Sequence, residues 1–207
     1  MSKKTNNPAT LLESIRIYDG QADLLPYHQR RMDRSRRALF AKSPALKLNR
    51  FLETIVLPQS GLYKLRIEYQ TSVLKHELVP YHRRPLTSLK LVNADGFTYG
   101  KKYADRKDIR RCLEKKDGCD DILMSQRGHL TDTSYANIAL FDGKHWYTPA
   151  WPMLRGTRRE QLLETGIIRP TVIRTRDLDS FKLIRLMNAM LPWEEAPTME
   201  VGAIFGR

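Results

Sequence analysis

Leu130-Thr-Asp-Thr-Ser-Tyr-Ala-Asn137 (LTDTSYAN) is a dense polar run set between two apolar segments that read as strands, Asp121 to Ser125 before it and Asn137 to Phe141 after it. Polar groups in such a place need partners. Two readings follow. The run is a turn that satisfies itself through its Asp and Thr side chains, or Asp132 is a carboxylate facing a bound cofactor. Around it, turn signals at Gln126-Arg127-Gly128 and Asp142-Gly143, with a further β-rich run at His145 to Thr148, predict several short strands in succession.

Two neighbouring segments carry similar ambiguity. Downstream, Leu154-Arg-Gly-Thr-Arg-Arg159 places a glycine and a hydroxyl residue at the start of a helix reaching Leu163, directly after a Pro-containing loop. Free N–H groups at a helix start form an anion site, although Thr157 also suits a plain N-cap; the spacing is not that of a nucleotide P-loop. Upstream, Gly100-Lys-Lys-Tyr103 precedes a predicted helix from Tyr103 to Lys116, supported by Ile109 and Leu113 at i,i+4. A lysine at a helix start meets the positive end of the dipole, which lowers its pKa and favours Schiff-base chemistry. An exposed solubilising pair is the alternative.

The first half reads as a small α+β unit. Leu11 to Tyr18 (LLESIRIY) is a strand, Asp19-Gly20 a hairpin turn, and His28 to Arg37 with Ala38-Leu39-Phe40 a basic helix following a turn at Leu25-Pro26. Most of its arginines form a solvated face, with one or two pointing into a site. Leu46 to Leu57 predicts a second helix, and Gly61 to Tyr69, Ser72 to Val79 and Ser88 to Val92 predict strands; Thr171 to Arg174 and Leu183 to Met187 supply further strand or short helical elements. The charged, proline-containing Tyr81 to Pro85 marks a boundary between a small N-terminal domain, 1–85, and a larger C-terminal one, 86–207.

With 207 residues, 41% hydrophobic, the chain suits one large domain or two small ones and is not globally disordered. No stretch approaches ~18 consecutive apolar residues, and Met1 to Pro8 lacks the apolar core of a secretory signal, so a cytoplasmic location without membrane contact is expected. Cys112 and Cys119 have neither the spacing nor the partners of a metal site, so reduced thiols and no metal are expected. The formal charge of +13 is compatible with nucleic acid, an anionic membrane or a pocket for phosphorylated and carboxylated small molecules. The basic residues are mostly scattered rather than blocked, which argues against nucleic acid.

Taken together, Lys102-Tyr-Ala-Asp-Arg106, Asp120-Asp-Ile-Leu123, Gly128-His-Leu-Thr-Asp-Thr-Ser-Tyr-Ala-Asn137, Trp146-Tyr-Thr-Pro149 and Leu154-Arg-Gly-Thr-Arg-Arg159, in that order, resemble the class IV aminotransferases. Glu13, Ile15-Arg16, Asp19-Gly20, Leu24 and His28-Gln-Arg-Arg31 resemble the opening hairpin and helix of that family, so the likeness runs from Leu11 to Asn188. It implies the two-domain α/β (α+β) architecture of fold type IV pyridoxal-phosphate enzymes, like D-amino-acid aminotransferase, with the cofactor, pyridoxal 5'-phosphate, at the domain interface. It also implies a homodimer.

Carried over residue by residue, the resemblance makes Lys102 the Schiff-base lysine and the group that moves the proton. Asp132 stands where the family has a glutamate on the pyridine nitrogen. Arg31 becomes an ion-pair partner of the cofactor phosphate, the amides of Thr157 and Arg158 the phosphate cup, and Asn137 and Asn188 further cofactor-binding positions. Tyr27, Tyr103 and Tyr135 are either pocket-lining or ordinary packing. The shorter Asp132 and a short N-terminus, with ten residues before Leu11, depart from the family pattern. The Lys-x-x-Asp-Arg segment and Asn188-Ala189 are similar to 4-amino-4-deoxychorismate lyase, which makes 4-aminobenzoate and pyruvate for folate biosynthesis. The alternatives are a transaminase of branched-chain or D-amino acids, and a non-catalytic basic binding protein on the same fold.

Overall fold

Alternation along the first strand decides how the N-terminal half is built. The computed structural model describes residues 9–83, 85–97 and 99–207, in two units: one running to Tyr81 and including Lys101–Asp105, the other comprising His82–Gly100 and Arg106–Arg207. The first unit contains β1 (Leu11–Tyr18), β2 (Gln21–Ala22), α1 (Leu25–Leu39), α2 (Leu48–Leu52), β3 (Leu62–Tyr69) and β4 (Val73–Pro80). They form an antiparallel sheet in the order β2-β1-β3-β4, and β1 pairs with β3 along its whole length, from Leu11↔Tyr69 to Tyr18↔Leu62. Asp19 and Gly20 both take positive φ, as a two-residue hairpin requires.

Leu11, Ile15 and Ile17 pack with Met32, Leu65, Ile67 and Tyr69 in one core. Period-two register puts Glu13 on that same inward row, where it is fully buried. The face that α1 turns inward is hardly apolar: His28, Arg31, Met32, Ser35 and Arg36 are its buried residues. Of the basic residues on this helix, then, two arginines are drawn inside. Arg36 braces the chain, donating to the carbonyls of Pro44 (2.6 Å), Thr71 (2.7 Å) and Gln70 (3.1 Å).

Two helix expectations are corrected here. The segment Leu46 to Leu57 is helical only over Leu48–Leu52. Thr54 turns its hydroxyl onto the Phe51 carbonyl (2.7 Å), and the β-branched Thr54-Ile55-Val56 ahead of Pro58 does not continue the turn. The helix expected from Tyr103 instead begins at Lys107 as α3 (Lys107–Leu113), followed by a 3-10 turn to Lys116. Lys102 to Ala104 are held extended on the edge of β1: Leu12 N–H donates to the Lys102 carbonyl (2.8 Å) and Ala104 N–H to that of Thr10 (2.9 Å). Lys102 therefore lies outside any helix start, and the dipole argument for its reactivity falls.

The second unit carries β5 (Leu89–Asn93), α3, β6 (Asp121–Gln126), β7 (His129–Thr133), β8 (Asn137–Phe141), β9 (Trp146–Pro149), α4 (Thr157–Glu164), β10 (Ile168–Thr171), β11 (Leu183–Met187), β12 (Thr198–Glu200) and β13 (Ile204–Phe205). These strands form one sheet, ordered β10-β9-β8-β7-β6-β5-β13, with β11 on β8 and β12 on β11. The pairs joined through α3 and α4, β5/β6 and β9/β10, are parallel, as crossover helices require. Leu123, Leu130, Ile138, Leu140, Ile184 and Leu186 fill its core. The polar run of residues 130–137 is partly strand, because Thr131, Asp132 and Thr133 are buried in β7. A register shift between Leu123 and Ser125 on β6 accommodates them. The short element expected at Thr171 to Arg174, strand or helical, is a strand and lies earlier, at β10. Cys112 and Cys119 are free thiols, and among the described residues no helix is long and apolar enough to cross a membrane.

Candidate functional site

In the first unit the site residues gather around one carboxylate. Glu13 reaches across from β1 to α1 and accepts from Arg31 through both oxygens, Nε to Oε1 at 3.0 Å and Nη2 to Oε2, while His28 Nδ1 lies 2.5 Å from Oε2. His28 and Arg31 are one helical turn apart, so both face β1. Burial alone pushes the Glu13 carboxyl up; Arg31 and His28 more than reverse this, to about 2. With Glu13 ionised, His28 Nδ1 carries the shared proton. The His28 ring is lowered from its ordinary value by burial, which the Glu13 bond and charge oppose and the charges of Arg31 and Lys102 reinforce. Its Nε2 is buried and has no hydrogen-bond partner among the described residues. Behind Glu13, the Tyr69 hydroxyl is pushed up by burial and by the carboxylate. Lys102, half-buried, belongs to this unit.

In the second unit the remaining site residues close a ring around Asp132. Asn137 Nδ2 donates to Asp132 Oδ1 (2.7 Å) and to the Leu154 carbonyl (2.8 Å), and Leu154 N–H donates to Asp132 Oδ2 (2.8 Å). The turn joining β7 to β8 is closed by Thr133, whose N–H bonds the Ala136 carbonyl (2.8 Å) and whose Oγ1 accepts from Ala136 N–H (3.1 Å). Burial pushes the Asp132 carboxyl up to about 7, against the opposing effects of Asn137, the Leu154 N–H and the Arg159 charge. Arg159 is itself buried and tied to Thr148 (3.2 Å) and the Pro149 carbonyl (2.8 Å).

The same ring fixes the start of α4. A Cβ on Gly156 would lie 2.1 Å from Asn137 Oδ1, so no side chain fits there. Gly156 gives α4 no side-chain cap, and the buried Thr157 Oγ1 has no hydrogen-bond partner among the described residues. An uncapped N-terminus with an unsatisfied hydroxyl is an arrangement that an anion completes. Arg158 Nη1 bonds Gln161 (2.7 Å). Asn188 joins the group through Tyr135, donating to its carbonyl (3.4 Å) while accepting from Met190 N–H (2.8 Å). Arg106 also donates to this turn, at the Ser134 carbonyl.

The expected positions thus fall into two sets, Lys102 with Arg31 in the first unit and Asp132, Asn137, Thr157, Arg158 and Asn188 in the second. Sequence reasoning gave Glu13 and His28 no role. The available signal was Glu13 itself, a lone charge on the inward row of an apolar strand, which demands a buried cation. Among the described residues no group of His, Cys, Asp and Glu is placed to hold a metal ion.

Comparison with known proteins bears on this geometry. The family Amino-transferase class IV matches residues 10–195. An uncharacterised protein of Haemophilus influenzae is 34% identical over 183 residues, 87% of this chain and 97% of that protein. A solved candidate 4-amino-4-deoxychorismate lyase from Haemophilus somnus is 32% identical with a TM-score of 0.79, covering 88% of this chain and 96% of the other. A candidate amino-acid aminotransferase from Mesorhizobium loti shares the fold, at 18% identity and a TM-score of 0.73 over 92% of this chain and 98% of that one.

Proposed function

Because the chain belongs to the class IV aminotransferase family, we propose that it is a pyridoxal-phosphate-dependent lyase. Its reaction would convert 4-amino-4-deoxychorismate to 4-aminobenzoate and pyruvate. Within the family this reaction is favoured by the likeness to the Haemophilus somnus protein, which extends over 96% of that chain.

The residues present fit the cofactor. The orphaned Thr157 hydroxyl and the uncapped α4 start suit its phosphate, Asp132 is a buried carboxylate for its ring nitrogen, and Lys102 supplies an amine. When bound, pyridoxal phosphate supplies an aldehyde that captures amines and a ring that withdraws electrons from the carbon bearing them. Asn137 and the Leu154 amide orient Asp132 from both of its oxygens. Asp132, whose carboxyl burial pushes up to about 7, would face the ring nitrogen as the partner of its proton. The Thr157 and Arg158 amides would hold the phosphate, and Arg31 is the cation that the family resemblance assigns to it. Lys102 Nζ removes the proton from the amine-bearing carbon of the substrate. Departure of enolpyruvate, whose ether oxygen takes the electron pair of the C–O bond at the neighbouring carbon, would then make the ring aromatic, and protonation of the enolpyruvate would give pyruvate.

Purified protein incubated with aminodeoxychorismate should release 4-aminobenzoate and pyruvate in equal amounts. Lys102→Ala should lose the near-visible absorption of the bound cofactor and at least about a thousandfold in rate. Amino transfer to 2-oxoglutarate without 4-aminobenzoate release would replace the lyase by a transaminase. Failure to bind the cofactor at all would overturn both enzyme readings and leave a non-catalytic binding protein.

A further inference from the structure

Glu13 and Arg31 neutralise one another inside the first unit, and His28, lowered by burial, adds no charge of its own. A phosphate dianion arriving at Arg31, as the cofactor reading requires, would set two further negative charges beside a guanidinium already paired with Glu13, a costly state in a medium of low dielectric. One basic atom is in place to correct it. His28 Nε2 is buried without a hydrogen-bond partner among the described residues, while Glu13 holds the other ring nitrogen at 2.5 Å. A buried nitrogen left in this condition calls for an explanation. The titratable and charged groups that bear on the cluster are Glu13 on β1, Arg31 and Arg36 on α1, Tyr69 on β3 and Lys102 on the segment paired to β1.

We propose that His28 is a second, inducible cation of the anion site, taking up a proton at Nε2 when phosphate binds at Arg31. Glu13 then serves as counter-ion to the imidazolium and to Arg31 together, and the two cations balance the carboxylate and part of the dianion. The proton comes from solvent; no covalent bond changes. The consequence is linkage: phosphate affinity carries a proton-dependent component that strengthens as pH falls through the raised pKa of His28 in the complex. This rests on the reading of Arg31 as a phosphate ligand.

The probe is pyridoxamine 5'-phosphate, which has the phosphate but no aldehyde to react with Lys102. Its binding is followed by calorimetry at several pH values, in buffers of different ionisation heat, for the wild type and His28→Asn. Asparagine keeps an N–H near the Nδ1 position for Glu13 and removes the titrating Nε2. The wild type should take up as much as about one proton more than His28→Asn, and its log Kd should change more steeply with pH, by up to about one unit per pH unit. Equal proton uptake and parallel slopes would overturn the proposal. So would equal His28-dependent uptake with pyridoxamine, which lacks the phosphate. Should His28→Asn not fold, ¹⁵N spectra of wild-type imidazoles decide: Nε2 of His28 must shift to the protonated range on adding the probe, and an unchanged neutral ring refutes the idea. If the probe does not bind at all, the cofactor reading fails first; binding without His28-linked protons sinks this proposal alone.

Discussion

The two buried carboxylates, Glu13 and Asp132, are driven in opposite directions by surroundings of equal depth. Glu13 settles at about 2 and Asp132 at about 7, although both lie inside the protein at 0% and 5% exposure. Burial raises both; what differs is the partner. Glu13 is gripped by a guanidinium and an imidazole, whereas Asp132 is held by two neutral donors, an amide side chain and a backbone N–H, with Arg159 acting only at a distance. Hydrogen-bond satisfaction and charge compensation are separate requirements, and only Glu13 meets both. One carboxylate is thereby fixed as an anion, while the other exchanges its proton in the range where enzymes work.

The comparison breaks most sharply at Glu13. Glu13→Gln leaves the Arg31 charge buried without its counter-ion and should cost about 3–5 kcal/mol in chemical denaturation. Glu13 has its folded value, about 2, below the ordinary 4.5. Its contribution is therefore present above that ordinary value and fades as pH falls toward 2; the Gln variant should lose this part of the acid limb.

Asp132→Asn is the smaller perturbation and has the opposite pH signature. An amide cannot accept from both Asn137 and Leu154, so one donor is left facing an NH₂ group, at about 1–3 kcal/mol. Asp132 has its folded value, about 7, above the ordinary 3.8, so its contribution is complete below the ordinary value and lost as pH rises through 7. Stability measured between pH 4 and pH 7 should fall less steeply in the variant than in the wild type. An unchanged slope would mean that Asp132 titrates as a solvated acid.

The smallest stability change is expected at Thr157, whose hydroxyl has no partner among the described residues. Thr157→Val should alter unfolding by less than about 1 kcal/mol, toward greater stability, because an unpaired buried hydroxyl is removed. Cofactor affinity, followed by fluorescence titration, should weaken by about tenfold for the lost hydrogen bond. Equal affinity would remove Thr157 from the phosphate cup.

Much of this was legible in the chain. The strands at Leu11–Tyr18 and Asn137–Phe141 lie where alternation and turn residues put them, because period-two patterns and Asp-Gly turns are local properties. The order of the polar motifs identified the family, which the match over residues 10–195 bears out. The helix expected at Tyr103 was not legible in the same way. Lys102 to Ala104 are extended because Leu12 on β1 and Thr10 just before it offer them hydrogen bonds, and no local rule contains that edge.

By itself, then, the sequence determined which segments alternate, where they turn and which residues are chemically able to act. Only the tertiary structure decided what those residues are. It put Glu13 between His28 and Arg31, closed Asn137 and Leu154 around Asp132, and pressed Gly156 against Asn137 so that α4 begins uncapped. The physical reason is that a side chain's identity fixes its ordinary proton affinity, whereas its working affinity depends on the charges and donors that distant segments bring to it inside a medium that screens poorly.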